Sequence, residues 1–347
     1  MPGHSLNEPN RDLDASHTTS TRVPADGHVT VLLHETVLAL NPVAGGTYID
    51  ATFGGGGHTA HLLRHEPPVR EVVAIDADLD ATVRSDRLLA IPGNAGRLRI
   101  VHRNFRDLAS VVANEGLGPA DGVLLDLGLS SYQLDEGERG FSFRFDAPLD
   151  MRYDQSAGAT AGQLVNRESE EELARIFWSL GEERQSRRIA SAIVRTREQS
   201  PIETTGQLAS LIERTVGRRP GSPIHPATRS FQALRIEVNH ELDALAEVLP
   251  AAVAALAPGG RLVTIAFHSL EDRIVKRFIE SQSRTCVCPP AQPVCTCDTI
   301  PGLRRIGKPV RASAEEVGAN PRSRSAIMRV AERLDANGRV ASRGSSL

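Results

Sequence analysis

Asp50-Ala51-Thr52-Phe53-Gly54-Gly55-Gly56-Gly57-His58 is the stretch that decides the fold. The apolar run Thr47-Tyr48-Ile49 precedes it, and the helix-like run Thr59-Ala60-His61-Leu62-Leu63 follows. Strand, glycine turn and helix in that order bring backbone N–H groups close to a cofactor in α/β folds. Glycine has no Cβ to block the approach. Eighteen residues after His58, a second apolar strand, Val72-Val73-Ala74-Ile75, ends in Asp76. A carboxylate at a strand end can accept hydrogen bonds from two ribose hydroxyls, so the pattern points to a nucleoside cofactor.

Two cofactors compete. A nicotinamide dinucleotide calls for G-x-G-x-x-G, with its pyrophosphate over the helix N-terminus. Reading from Gly54 or Gly55, the sixth position is Thr59 or Ala60, so the third glycine is missing. S-adenosylmethionine (SAM) has no phosphate. Its sites set an acidic residue at the end of the first strand, then a glycine-rich turn beside the amino-acid moiety. Asp50 and the turn after it fit SAM better. The bland alternative, a glycine-rich surface loop, is opposed by the strand on one side and the helix on the other.

The alternation of short apolar strands with helical stretches continues outward from this unit. Asp78 to Ala90 reads as a helix, Leu98 to His102 as a strand, Phe105 to Glu115 as a loop leading into a helix, and Gly122 to Asp126 as a central strand. The rhythm then breaks. From about Ser142 to Leu256 only helical spacing is visible: Leu173, Ile176, Phe177 and Leu180 share one face, as do Leu208, Leu211 and Ile212, and Phe231, Leu234, Val238, Leu242 and Leu245 mark one further helix. Pro258-Gly259-Gly260 reads as a turn before the strand Arg261 to Phe267, with a helix from Leu270 to Ser281. Late strands are expected near Leu303–Val310 and Ser325–Val330. The simplest architecture is an α/β, doubly wound, Rossmann-like sheet with an inserted helical domain after its fourth strand; the resemblance set out below implies that it is of the class I SAM-dependent methyltransferase kind. The expected division is a disordered N-terminal tail over 1–27, a discontinuous methyltransferase domain over 28–141 and 257–334, a helical substrate-recognition insertion over 142–256, and a flexible tail over 335–347.

Composition bounds the function. A chain of 347 residues, 40% hydrophobic, buries a core of useful size. No apolar run approaches a membrane span, and the polar first 27 residues lack the apolar region of a secretory signal, so the cytoplasm is the expected compartment. The formal net charge is −3, but Ser281 to Leu347 holds eleven basic residues against five acidic ones. Only Lys276 and Lys308 among the forty basic residues are lysines, which codon bias explains, although arginine also suits phosphate binding and base stacking. Aromatic residues are sparse at 4%, which argues against a stacking platform built mainly from aromatic side chains.

The fourth strand ends Asp126-Leu127-Gly128-Leu129-Ser130-Ser131-Tyr132-Gln133. Ligands of open α/β sheets lie beyond the carboxyl ends of the strands, near the switch point, so Asp126 is expected to face the cofactor. N-methylation of an exocyclic amine needs acceptors for the amine hydrogens, which aim the nitrogen lone pair at the methyl group. A carboxylate with nearby backbone carbonyls does that. No cysteine lies near this loop, so cysteine-nucleophile chemistry is not indicated. Asp126 as a turn or helix cap is the alternative, and the paired Asp76 weighs against it.

The chain resembles the ribosomal RNA small subunit methyltransferase H family, SAM-dependent enzymes that methylate N4 of a cytosine in the decoding region of bacterial 16S rRNA. The resemblance runs from about Gly27 to Leu334 and rests on Tyr48-Ile49-Asp50-Ala51-Thr52-Phe53-Gly54, Arg139-Gly140-Phe141-Ser142-Phe143, Phe231-Gln232-Ala233-Leu234-Arg235-Ile236, Phe267-His268-Ser269-Leu270-Glu271-Asp272-Arg273 and Asn320-Pro321-Arg322-Ser323-Arg324-Ser325, among others. It implies cofactor contacts at Gly56, Gly57, His58, Asp76, Phe105, Asp126 and Gln133, with Phe105 on the adenine side. The family often has Pro where this chain has Tyr132. It also implies 16S rRNA, or the small ribosomal subunit carrying it, as partner. A DNA or other RNA N-methyltransferase is the nearest rival. A non-catalytic ribosome-assembly factor is the rival from another class, and the presence of both Asp76 and Asp126 opposes it.

Three further groups are candidates. His268 follows the fifth strand and is a candidate proton relay beside Asp126, though water can take the proton of the ammonium formed by methyl transfer. Ser269 with Glu271-Asp272 reads as a helix cap there. Arg184, Arg187, Arg188, Arg195 and Arg197 lie within fourteen residues of the insertion, either as phosphate contacts or as a solvated face balanced by nearby glutamates. Gln232, Arg235 and Asn239 share a helix face and are expected to meet RNA. Cys286-x-Cys288 and Cys295-x-Cys297 hold all four cysteines, either as a zinc site tighter than the usual C-x₂₋₄-C spacing or as reduced thiols.

Overall fold

The computed structural model describes residues 29–341, apart from 131–132, 134–136, 219–220, 222–223, 290–291 and 293. The expected tail over 1–27 and the last six residues of the chain lie outside the described residues, as do Ser131 and Tyr132. Seven strands form one sheet: β1 (Thr47–Asp50), β2 (Glu71–Asp76), β3 (Leu98–His102), β4 (Ala120–Asp126), β5 (Leu256–Ala266), β6 (Leu303–Arg311) and β7 (Ile327–Arg333). Their order is β3-β2-β1-β4-β5-β7-β6. The first five run parallel, and β7 is antiparallel to both of its neighbours.

The continuous apolar strands are buried on both faces, as parallel strands must be. Helices flanking the sheet are α1 (Leu33–Leu40), α2 (Gly57–Leu63), α3 (Leu79–Leu89) and α4 (Leu108–Asn114). Tyr48, Val72, Ala74 and Leu124 point into one core with Leu40 of α1, Leu62 of α2 and Ala81 of α3. Ile49, Ile75, Val123 and Leu125 point to the other face, where Leu108 and Val111 of α4 pack. The expected doubly wound sheet is therefore observed. Its strand order reverses between β1 and β4, which opens a crevice at their carboxyl ends.

Between β4 and β5 stand α5 (Ala161–Arg167), α6 (Glu170–Gly181), α7 (Ser186–Arg197), α8 (Thr205–Val216), α9 (Thr228–Asn239) and α10 (Glu241–Ala255). Thr160 and Thr204 close capping boxes at α5 and α8, and Ser169 caps α6. Phe177, Ile189, Ile193, Leu208, Ile212 and Leu234 share a core separate from those of the sheet. One helix expected across Phe231 to Leu245 is in fact two. His240 adopts a left-handed conformation with φ 49° and divides α9 from α10. Leu245, Val248, Leu249 and Ala252 of α10 then pack on the sheet rather than among the inserted helices. The segment with its own core thus ends at α9, short of the expected boundary at 256, and α10 is the crossover helix that delivers β5.

Pro258-Gly259-Gly260, expected as a turn ahead of a strand, lies inside β5. Register runs from Ala120↔Leu256 to Gly122↔Arg261, so β5 carries the longer stretch across a bulge. After β5 come α11 (Ser269–Gln282), the cysteine loop, β6, α12 (Ala314–Ala319) and β7. Among the described residues, no helix is long and apolar enough to cross a membrane.

Candidate active site

A cleft of about 530 Å³ opens at the carboxyl ends of β1, β2, β4 and β5, with α9 as a further wall. Gly57, His58, Asp76, Phe105, Asp126 and Gln133 all line it, although the chain separates the first from the last by more than seventy residues. Gly56 does not line the cleft. Its role is conformational: φ is 76°, and a Cβ there would fall 2.7 Å from the Phe53 ring. At Gly57 a Cβ would meet Thr30 Oγ1 at 1.9 Å, so this glycine admits the N-terminal segment, which itself reaches the cleft.

Asp50 does not line the cleft either. Its carboxylate turns back into the strand–helix junction, where it accepts hydrogen bonds from Thr59 Oγ1 at 2.7 Å and Thr52 N at 3.2 Å. Burial raises its pKa above the usual carboxylate value, opposed by the His58 charge. The acidic residue at the end of β1 thus braces the turn from behind.

Asp76 is the hinge of the glycine loop. Its two oxygens accept from Gly54 N at 2.7 Å and from Asp78 N at 2.8 Å. Burial pushes its carboxyl up to about 6, against the lowering effect of those two N–H groups. Each carboxylate oxygen retains a further acceptor site.

Asp126 lines the cleft at the end of β4. Its backbone N donates to Thr52 Oγ1 at 2.6 Å, which fixes the strand end. Its Oδ2 lies 3.4 Å from His58 Nε2. Asp126 Oδ1 and His58 Nδ1 are buried without a hydrogen-bond partner, while His58 Nε2 faces the Asp126 carboxylate. Buried polar atoms are almost always paired, so the unmatched Oδ1 and Nδ1 suit polar groups of a ligand.

Gln133 lies behind this wall. It accepts from Ser130 N at 3.1 Å and donates to Asp78 Oδ2 at 3.1 Å. Asp78 also accepts from Arg139 Nη1 at 2.7 Å and caps α3 through Asp80 N. Burial works to raise the Asp78 carboxyl, but the Arg139 charge and hydrogen bond hold it below the usual range. Arg139 further donates to the carbonyls of Arg152 and Tyr153. This buried arginine ties the loop after β4 to the start of α3. Sequence reasoning passed over it as part of a motif, because its partner lies 61 residues away.

His268 reaches the cleft, but as a cap. Its Nδ1 accepts from Glu271 N at 3.5 Å at the start of α11, and its Nε2 lies 3.1 Å from Glu271 Oε1. Glu271 returns the contact by accepting from the backbone of Phe267 and His268. Burial works to raise the Glu271 carboxyl, and His268 with Arg235 reverses the shift. Nδ1 of His268 thus serves the cap, and its buried Nε2 faces Glu271 without a hydrogen bond.

Arg235, expected to meet RNA, is part-buried and paired. It donates to both carboxylate oxygens of Glu241, at 2.8 and 2.9 Å, and Tyr153 Oη donates to the same carboxylate at 3.0 Å. Glu241, His268 and Glu271 present ligand atoms within 4.8 Å of one another, but the cation there is the guanidinium of Arg235. Asn239 is also consumed internally. It accepts from Tyr153 N and donates to Met151 O, which holds Met151 at φ 63°. Of that helix face, Gln232 and Arg235 line the cleft and Asn239 does not.

Arg184, Arg187 and Arg188 stand exposed at the α6–α7 junction and do not line the cleft. Arg188 donates to Thr215 O at 2.8 Å, and Arg197 donates to Val165 O at 2.7 Å. Arg195 is exposed. The four cysteines lie elsewhere, in the loop between α11 and β6.

The low aromatic content misleads about the cleft. Six of the nine phenylalanines line it: Phe53, Phe105, Phe141, Phe143, Phe231 and Phe267. Phe143 and Phe231 meet edge to face at 4.9 Å, and Phe141 stacks on Tyr153 at 5.6 Å. Composition averages over the chain, whereas the fold concentrates. Arg322 and Ser325, from the short helical turn before β7, also reach the cleft, and periodicity carries no signal of that.

Comparison with known proteins adds the family. The profile of the MraW methylase family matches residues 25–334. A protein named ribosomal RNA small subunit methyltransferase H from Thermomicrobium roseum is 54% identical, over 90% of this chain and 95% of that protein. Proteins of the same name from Symbiobacterium thermophilum and Heliobacterium modesticaldum are 51% and 50% identical, over 89% and 88% of this chain and 97% and 98% of theirs. With a doubly wound sheet, a polar cleft at its switch point and a family match along nearly the whole described length, the chain belongs to the MraW methylase family, methyltransferases that use S-adenosylmethionine.

Proposed function

We propose that this protein methylates the exocyclic N4 of a cytosine in the decoding region of 16S rRNA. The observation that carries the chemistry is the unpartnered Oδ1 of Asp126, whose Oδ2 faces the His58 ring, at the switch point of the sheet. The rRNA substrate rests on the names of relatives that share half of their residues with this chain.

The cleft residues fit SAM. Asp76 retains acceptor sites suited to two ribose hydroxyls, and Phe105 offers an apolar face to an adenine. Gly57 and His58 open α2 at its positive end, suited to an amino-acid carboxylate. Gln133 and Arg139 act through Asp78, holding the start of α3 that Asp76 also grips. SAM, when bound, supplies a methyl group on a positively charged sulfur. Asp126 accepts from the target amine, which keeps the amino group turned and its lone pair directed across the cleft. The phenylalanines of α9 and of the loop after β4 stack against a base taken out of its RNA strand. The proton released from nitrogen passes to water.

We take the helical segment up to α9 as the substrate-recognition unit and its exposed Arg184, Arg187 and Arg188 as phosphate contacts, which supply affinity without sequence information. The test is transfer of labelled methyl groups to small ribosomal subunits, naked 16S rRNA, other RNAs and DNA, followed by nucleoside analysis. N4-methylcytidine formed only in 16S rRNA supports the reading. Label in DNA or in another RNA alone refutes the substrate.

A further inference from the structure

We infer that Cys286, Cys288, Cys295 and Cys297 form a tetrahedral site for one zinc ion, which fixes the loop between α11 and β6. The sulfurs already converge. Sγ of Cys295 lies 3.5 Å from that of Cys286, 3.9 Å from that of Cys288 and 3.5 Å from that of Cys297. All four fall within 4.8 Å of one another. Four sulfurs around a zinc at about 2.3 Å in a tetrahedron stand about 3.8 Å apart, close to these separations. A disulfide needs about 2.05 Å, and all four cysteines are free.

One other observation points to a cation. Val287 N donates to Cys297 Sγ at 3.3 Å, the kind of backbone contact that stabilises a metal-bound thiolate. Four thiolates this close repel one another strongly unless a cation lies among them. Soft sulfur donors in a closed set of four select zinc over harder ions.

The loop also needs such a staple. None of the described residues from 283 to 302 is buried, and Val287 and Val294 are 59% and 69% exposed. No apolar burial offsets the entropy of ordering this stretch. A metal bound by the folded loop supplies that free energy directly.

The position sets the role. α11 begins at His268, on the rim of the cleft, and runs 14 residues, about 20 Å, to the cysteine loop. No described residue of that loop lines the cleft. The zinc is therefore structural, with four protein ligands and no open position for substrate.

The full-length protein, purified without chelators from zinc-supplemented cells, is measured for metal by plasma mass spectrometry. The expected result is about one zinc per chain, falling to under a tenth of that in the Cys288→Ala/Cys297→Ala double variant. Cobalt exchanged into the unmodified protein should give the visible bands of a tetrahedral sulfur site, a readout independent of how well the variant folds. Methyl transfer by the variant should stay within about twofold at low temperature, since the loop lies outside the cleft. Metal-free protein with four reactive thiols, an intact mass lower by four hydrogens, stoichiometric iron in place of zinc, or zinc retained in the double variant would each overturn the assignment.

Discussion

Asp76 should make SAM binding depend on pH. Its carboxyl is held at about 6, above an ordinary aspartate, because burial outweighs the two backbone N–H groups it accepts from. A ribose hydroxyl donates only to the ionised form in the geometry proposed, so binding must draw off the proton wherever the free protein carries one. The apparent dissociation constant then scales as one plus the ratio of protonated to ionised Asp76. From pH 7 to pH 5 that factor rises about tenfold, and above pH 7 it is flat. The sign for folding follows from the same shift. A carboxyl raised in the folded state contributes stability that is fully present below the unfolded value and is lost as pH rises through about 6, and bound SAM opposes that loss. Asp76→Asn removes the charge and, with one acceptor oxygen, can satisfy only one of Gly54 N and Asp78 N. Loss of a charged acceptor to ribose costs about 1.5–3 kcal/mol, or roughly ten- to a hundred-and-fifty-fold in affinity. Calorimetric titration with SAM at pH 5, 6, 7 and 8 measures both effects, and the variant serves as control for other titrating groups. An unchanged wild-type dissociation constant between pH 5 and 7 would refute an ionised Asp76 at the ribose.

Three other outcomes follow from the site. Asp126→Ala should slow single-turnover methyl transfer at saturating SAM and RNA by at least ~10²-fold, while His268→Ala, which removes a helix cap, should slow it less; the reverse ranking would mean that His268 acts on the substrate. Replacing Arg184, Arg187 and Arg188 together with Ala should leave SAM affinity intact and flatten the salt dependence of RNA binding, and normal binding with an unaltered slope would make them a solvated face. Arg139→Met should lower stability by about 3–5 kcal/mol, because it strips the buried Asp78 carboxylate of its strongest partner; a melting temperature unchanged from wild type would show that the pair is dispensable.

The sheet was legible because its strands are buried on both faces. Val72, Val73, Ala74 and Ile75 are all fully buried, so each reads as an unbroken apolar run whatever its neighbours. Helix boundaries were less legible. Nothing in the apolar spacing of Phe231 to Leu245 marks His240, whose left-handed conformation redirects the chain from the helical core to the sheet. The loop at Pro258 to Gly260 was legible as irregular backbone, but its absorption within a strand depends on the register of β4. In the cleft, strand-end carboxylates could be found from position alone, which is how Asp76 and Asp126 were identified. Asp50 obeys the same positional rule yet turns inward, because Thr59 one helical turn into α2 captures it. Arg235 looked available for RNA until its partner Glu241 appeared across the helix break. Charges that cancel through tertiary contacts cannot be told in sequence from charges left for a ligand. Arg139 and the gathered phenylalanines escaped for the same reason, since partners 61 residues apart in one case and spread along the chain in the other leave no local pattern.

Transfer of a methyl group to N4 of a decoding-region cytosine leaves a mark that can be read in cells. Nucleoside mass spectrometry of the 16S decoding-region fragment should be run on a strain lacking this protein, and on the same strain carrying the wild-type or the Asp126→Ala chain. N4-methylated cytidine should be lost on deletion, restored by the wild type and not restored by Asp126→Ala. An unchanged methylation pattern in the deletion strain would contradict it.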